Sequence, residues 1–95
     1  MPSVVYLTTR APSKVAADLE TAGYRVFEAL DVSEVLHLCE HHNIDAVVIG
    51  ADIDDPDLIE VQLREITIKL KAEATVKDLV WELSNLFPDK TVRIQ

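Results

Sequence analysis

Four aspartates crowd one short segment of the chain: Asp52, Asp54, Asp55 and Asp57. Hard divalent cations take carboxylate oxygens as ligands, so this spacing is a candidate Mg²⁺ or Mn²⁺ site. A cation held by Asp52, Asp54 and Asp55, with Asp45 nearby in sequence, would make the chain a metal-dependent hydrolase or nuclease. Against this, metal centres draw ligands from several elements, and no other strand end here supplies one. The preferred reading is a solvated loop whose later acids favour the N-terminus of a following helix. A second cluster, His37, Cys39, His41 and His42, spans six residues. His37 and His41 are four residues apart and share a helix face, the spacing used by zinc-binding helices. Cys39 points elsewhere and no third ligand is evident, so a solvent-facing histidine pair, sensitive to pH near neutrality, is expected.

Other chemistry is excluded more directly. Ser3, Ser13, Ser33 and Ser84 lack the Gly-x-Ser-x-Gly elbow, and with only Gly23 and Gly50 there is no glycine-rich phosphate loop. No catalytic residue and no cofactor are expected. The 95 residues carry 17 acids against 9 bases, a formal charge of −8. Neutralising a phosphate backbone needs the opposite surplus, so nucleic acid is not an expected partner. Anionic membrane is disfavoured for the same reason. No run approaches the ~18 apolar residues of a spanning helix. Met1-Pro2-Ser3 leads straight into an apolar strand without a basic region, so no signal peptide is expected, and Met1 is expected to open a complete reading frame. The single cysteine, Cys39, allows no internal disulfide and suits a reducing, cytoplasmic setting.

These residues must be positioned by regular elements. Ser3–Thr9 is an uncharged, β-branched run that reads as a strand buried on both faces, ended by a turn at Arg10-Ala11-Pro12. Ser13 caps a helix over Lys14–Ala22, with Val15, Ala16, Leu19 and Ala22 at helical spacing and Gly23 at its end. Tyr24–Leu30 alternates and reads as an edge strand. Ser33 is the expected cap of a helix over Glu34–His42, with Val35, Leu36, Cys39 and Leu38 as its apolar residues and Asn43 as its C-cap. Ala46–Ile49 is a wholly apolar strand closed by Gly50. A short helix over Asp57–Glu65 is expected to bury Leu58, Ile59 and Leu63. Ile66–Leu70 alternates as a strand. Thr75 and Asp78 form a capping box for a helix that runs to Phe87 and stops at Pro88, and Thr91–Ile94 suits a short final strand. Alternation of strand and helix implies a three-layer α/β/α fold with a mostly parallel sheet of 4–5 strands in one domain over residues 1–95.

The order of signals resembles the receiver domain of bacterial two-component response regulators. A buried strand is followed by a helix ending in AGY, a strand RVFEA, the helix SEVLHLCEHHNI and then DAVVIG. The stretch LKAEATVKDLVWELSNLF is similar to that family's closing strand, lysine and helix. The resemblance covers Val4–Ala51 and Thr67–Phe87 and implies a flavodoxin-like fold. The middle of the chain is compressed: about one βα unit is missing, and Ile66–Leu70 stands where the family's fifth strand stands. The resemblance also implies a phosphorylation site, which this sequence carries in degenerate form. The acceptor position at the end of the third strand is Gly50. Thr8 and Thr9 stand where two acids would hold Mg²⁺. Only the conserved-type lysine remains, as Lys71 or, in another register, Lys69. The implied function is a phosphorylation-incompetent pseudo-receiver, non-catalytic, acting by protein contact. The alternative within the family is phosphorylation at a displaced acceptor, Asp52.

One residue stands out from the helical pattern. Val76, Leu79, Leu83, Leu86 and Phe87 form one stripe of the last helix, flanked by Val80. Trp81 lies about 200° from Leu79, beside Lys77, Ser84 and Asn85, and is expected to face outward. An exposed tryptophan is typical of an interface hot spot. With Lys77, Val80 and Ser84 it makes a candidate contact patch for a protein partner, most simply a second copy in a homodimer. The competing arrangement folds the segment Pro88–Gln95 back over it.

Overall fold

A computed structural model of the chain describes residues 2–10, 13–63, 66–70 and 75–86. Four strands, β1 (Ser3–Leu7), β2 (Arg25–Ala29), β3 (Ala46–Ile49) and β4 (Ile66–Lys69), alternate with four helices. These are α1 (Lys14–Thr21), α2 (Val32–His41), α3 (Pro56–Glu60) and α4 (Val76–Leu86). The strands form one sheet in the order β2-β1-β3-β4, and every pair is parallel. This is a three-layer α/β fold of the flavodoxin-like kind, with a four-stranded sheet.

The layering follows from alternation along the two central strands. Val4, Tyr6, Ala46 and Val48 point to one face, where Ala16 and Leu19 of α1 and Leu79 and Leu83 of α4 cover them. Val5, Leu7, Val47 and Ile49 point to the other, against Val35 of α2 and the half-buried Ile53, Ile59 and Leu63. A strand covered on both faces is apolar nearly throughout; β3 is so at every position and β1 at every position after Ser3. The two ends of the sheet differ: β2 is an edge strand, as its mixed composition predicts, and β4 is the other outer strand among the described residues.

The helix ends show where local chemistry holds and where it shifts. The Ser13 hydroxyl accepts the Val15 N–H and starts α1 as expected, and Gly23, with φ 103°, turns the chain after it. The Thr75–Asp78 capping box also forms, through Thr75 N–H to Asp78 and Asp78 N–H to Thr75. Helix α2 starts earlier than its sequence suggests. Asp31, not Ser33, is the N-cap, because its carboxylate lies three residues before Glu34 and accepts that N–H at 2.9 Å. The Glu34 carboxylate reaches back to the Leu30 N–H and closes the turn. At the other end the cap is His42 rather than Asn43, and its ring stacks on Phe27 of β2 at 4.7 Å. Helix α3 is shorter than expected and begins on Pro56, whose missing N–H costs nothing at a first helical position. Its Leu58 faces solvent, not the core, while Ile59 and Leu63 pack inward. Ile59 lies about 100° round the helix from Leu58, and it is Ile59 that the helix turns to the core. Leu36 of α2 and Leu86 of α4 are also exposed, each lying on the rim of its apolar stripe. The expected strand Thr91–Ile94, the residues Phe87 and Pro88, and the turn at Ala11-Pro12 lie outside the described residues.

Tyr24 closes the core beneath α1, 2% exposed, and its hydroxyl has no hydrogen-bond partner among the described residues. An unsatisfied buried hydroxyl costs roughly 1–3 kcal/mol. Tyr24→Phe is therefore expected to raise the free energy of urea-induced unfolding or leave it unchanged. A loss above the error of the extrapolation would show that the hydroxyl is bonded.

Candidate functional site

In an open parallel sheet, ligand sites form beyond the C-terminal ends of the strands, where the strand order reverses. Here β1 lies between β2 and β3, so that point falls between the segments leaving β1 and β3. Thr8 and Thr9 follow β1, and Gly50, Ala51 and Asp52 follow β3. The Gly50 N–H donates to Leu7 O at 2.8 Å, which holds the two exits together.

Asp52 fills the gap. Its Oδ2 accepts the Thr9 hydroxyl at 2.6 Å, the Thr9 N–H at 2.8 Å and the Thr8 hydroxyl at 3.1 Å. Its Oδ1 lies 3.1 Å from the same Thr8 hydroxyl. Thr8 is 3% exposed, and its oxygen also accepts the Arg10 N–H. Partial burial pushes the Asp52 carboxyl upward in pKa. The bonds from the Thr9 side chain and amide, its own amide and the Thr8 side chain outweigh that, so the net direction is down. A carboxylate saturated by donors in this way stays ionised and is a poor nucleophile.

Gly50 completes the arrangement sterically. A Cβ at this position would stand 2.7 Å from Asp52 Oδ1, 2.8 Å from Leu7 O and 3.1 Å from the Tyr6 hydroxyl. The backbone oxygen cannot retreat without breaking its bond to Gly50 N–H. Position 50 thus holds the one residue small enough to let Asp52 fold over β1.

Three residues that sequence reasoning left out of the site border it. Tyr6 is 4% exposed, and burial, the first cause, raises its hydroxyl pKa. A hydrogen bond with Ser13 opposes the shift, and the charges of Asp52 and Glu28 add to it. The Glu28 carboxylate accepts the Ser13 N–H at 2.8 Å, tying β2 to the start of α1. The available signal was Glu28 itself, an acid at an otherwise apolar position of its strand.

The remaining acids do not converge. Asp54 and Asp55 are exposed, and Asp55 has φ 51° at the start of α3, with no capping bond from its side chain. Asp57 and Glu60 both pair with Lys69, at 2.5 and 3.2 Å. The Lys69 ammonium is held above its ordinary pKa, first by Asp57 and then by Glu60. Lys69 is therefore anchored to α3, and Lys71 lies outside the described residues. Asp45 is at the opposite end of β3, where it accepts the Ser3 N–H. Among the described residues no three His, Cys, Asp or Glu side chains are grouped to hold a metal ion. His37 and His41 do share a face, with ring centroids 4.3 Å apart, both exposed. Cys39 faces inward to the core.

On α4, Trp81 is 68% exposed and Lys77 is exposed beside it. Val80 and Ser84 are half-buried, Val80 against the α1–α4 core, so they border the patch rather than crown it. No helix among the described residues is long and apolar enough to cross a membrane. Comparison with protein-family models, curated proteins and solved structures yields no match to this chain.

Two outcomes are expected. Gly50→Ala should destabilise the fold by about 1–3 kcal/mol in chemical unfolding, the usual cost of overpacking. An unchanged midpoint would mean that the β1–β3 exit is loose. For pH, the folded-state pKa of Asp52 lies below its ordinary 3.8, so its contribution is complete above that value. It is lost as pH falls through 3.8 towards the folded value. Asp52→Asn should remove that part of the acid sensitivity, measured as the difference in unfolding free energy between pH 6 and pH 3.

Proposed function

We propose that this chain is a receiver-like domain that has given up phosphotransfer and works in signalling as a protein-contact module, with a second copy of itself as its partner. The observation that carries the reading is the Asp52 carboxylate folded onto Thr8 and Thr9 beside Gly50. In a receiver this is the place of the acceptor aspartate and the Mg²⁺ acids. Here the acceptor position has no room for a Cβ, the acid positions hold hydroxyls, and the nearest carboxylate is consumed by internal bonds. The sheet order supports the family reading, being the flavodoxin-like order 2-1-3-4-5 without its last strand. The resemblance set Ile66–Leu70 in the place of the fifth strand; it sits directly beside β3 instead, the place of the fourth.

The contact half of the proposal rests on Trp81. Trp81 is 68% exposed, and exposed tryptophan is the residue type most typical of interface hot spots. With eight more acids than bases, the chain is not suited to nucleic acid or anionic lipid. One cysteine and no spanning helix among the described residues agree with a cytoplasmic setting.

Beryllofluoride with Mg²⁺ is the direct test, because it mimics a phosphorylated carboxylate and needs both acceptor and metal. Amide NMR spectra are expected to be unchanged on its addition, and acetyl phosphate is expected to leave the intact mass unchanged. A beryllofluoride shift centred on Asp52 that vanishes in Asp52→Asn would sink the reading and assign the acceptor to Asp52. A response to Mg²⁺ alone, centred on Asp54 and Asp55, would favour the metal-dependent hydrolase.

A further inference from the structure

All three histidines of the chain fall at the end of α2 or just after it: His37, His41 and His42. The helix decides which of them can act together. His37 and His41 are four residues apart, so they stand about 40° apart round the axis and about 6 Å apart along it. Both are exposed, and their rings lie together with centroids 4.3 Å apart and planes tilted by 48°. His42 is the C-cap and turns its ring onto Phe27 of β2. Cys39 packs towards the core. The fold thus sorts four neighbouring candidate ligands into one exposed pair of imidazoles.

Imidazole nitrogen suits Zn²⁺, Ni²⁺ and Cu²⁺, whereas Mg²⁺ takes oxygen ligands. Two imidazoles on successive turns can close on one ion without moving the backbone. The electrostatics favour a cation at this place. Helix α2 carries Glu34 and Glu40 and no lysine or arginine. His41 belongs to its last turn, at the negative end of the helix dipole. The formal charge of −8 on the chain draws cations to its surface. Among the described residues no three His, Cys, Asp or Glu side chains group around one point. The chain therefore offers two ligands, and water fills the other positions.

We infer that His37 and His41 form a surface site for a borderline divalent transition-metal ion of the Zn²⁺ class, held by two imidazoles and water. The site shares no residue with the Asp52 contacts and does not depend on the contact-module reading. Because the helix sets the spacing of the pair, the folded chain binds the ion better than the unfolded chain does. The ion clips the last turn of α2 to the turn before it and stabilises the fold by mass action. Cu²⁺ binds more tightly than Zn²⁺ or Ni²⁺, in the usual order for nitrogen ligands.

The full chain, stripped of metal, is titrated with ZnCl₂ while heat, thermal midpoint and histidine ring-proton NMR signals are followed. One ion per chain is expected, with a raised midpoint and with the ring signals of both His37 and His41 moving. CuCl₂ should bind more tightly, and MgCl₂ should leave these rings unmoved. His37→Gln and His41→Gln should each weaken Zn²⁺ binding roughly tenfold or more, at least the loss that follows removal of a group merely supporting a ligand. Both positions are exposed, so circular dichroism should be unchanged, and His42→Gln should leave the affinity as it was. Absence of Zn²⁺ binding overturns the site. Binding that survives either substitution, or an equal response to MgCl₂, overturns it as adventitious. Two chains per ion overturn the water-completed site, since a second copy then supplies the remaining ligands.

Discussion

The molecule is organised by the burial of two adjacent parallel strands on both faces. β1 and β3 are apolar at almost every position and are covered by α1 and α4 on one side and by α2 and α3 on the other. Such strands cannot slip by one residue to hide a polar side chain, since both faces demand apolar groups. Their pairing is fixed instead by backbone bonds and by the shape of the two helical layers. The register Leu7 to Ile49 sets the exits of the two strands side by side. Everything that happens at the C-terminal end of the sheet depends on that juxtaposition.

At those exits the sheet order reverses, and related folds leave a crevice for a ligand. Here Asp52 spans the crevice and takes hydroxyl and amide donors from Thr8 and Thr9. The glycine before it is what permits the approach, because any side chain would strike Asp52 and the carbonyl of Leu7. A small residue, two hydroxyls and an acid therefore form one mutually dependent unit, which bonds the exit of β3 to that of β1.

The two ends of the sheet have different surfaces. At the β2 edge, Arg25 lies over the ring of Phe27, which stacks in turn on His42, and Glu28 is tied to Ser13. Charge and internal contacts blunt that edge, a common protection against sheet extension. Around β4, Ile66 and Leu86 are exposed apolar side chains bordering the groove beside α4.

Much of this was legible in the sequence. Alternating apolar strands and amphipathic helices determined the element order, the parallel sheet, the doubly buried β1 and β3 and the outward Trp81. All are consequences of periodicity, which is local. The caps at Ser13 and Thr75 were legible for the same reason. The start of α2 was read at Ser33 and lies at Asp31, because two capping residue types stand two residues apart and only the partner Glu34 decides between them. The acidic loop was legible as composition but not as geometry. Asp52, Asp54, Asp55 and Asp57 look equivalent in sequence, yet Asp52 binds the end of β1 from 44 residues away and Asp57 binds Lys69. What divides them is strand pairing, a long-range contact that no local pattern encodes. The sequence by itself determined the strands that are buried on both faces. The tertiary structure decided which polar groups meet at the sheet's end, because hydrogen bonds depend on positions in space set by the register of separate strands.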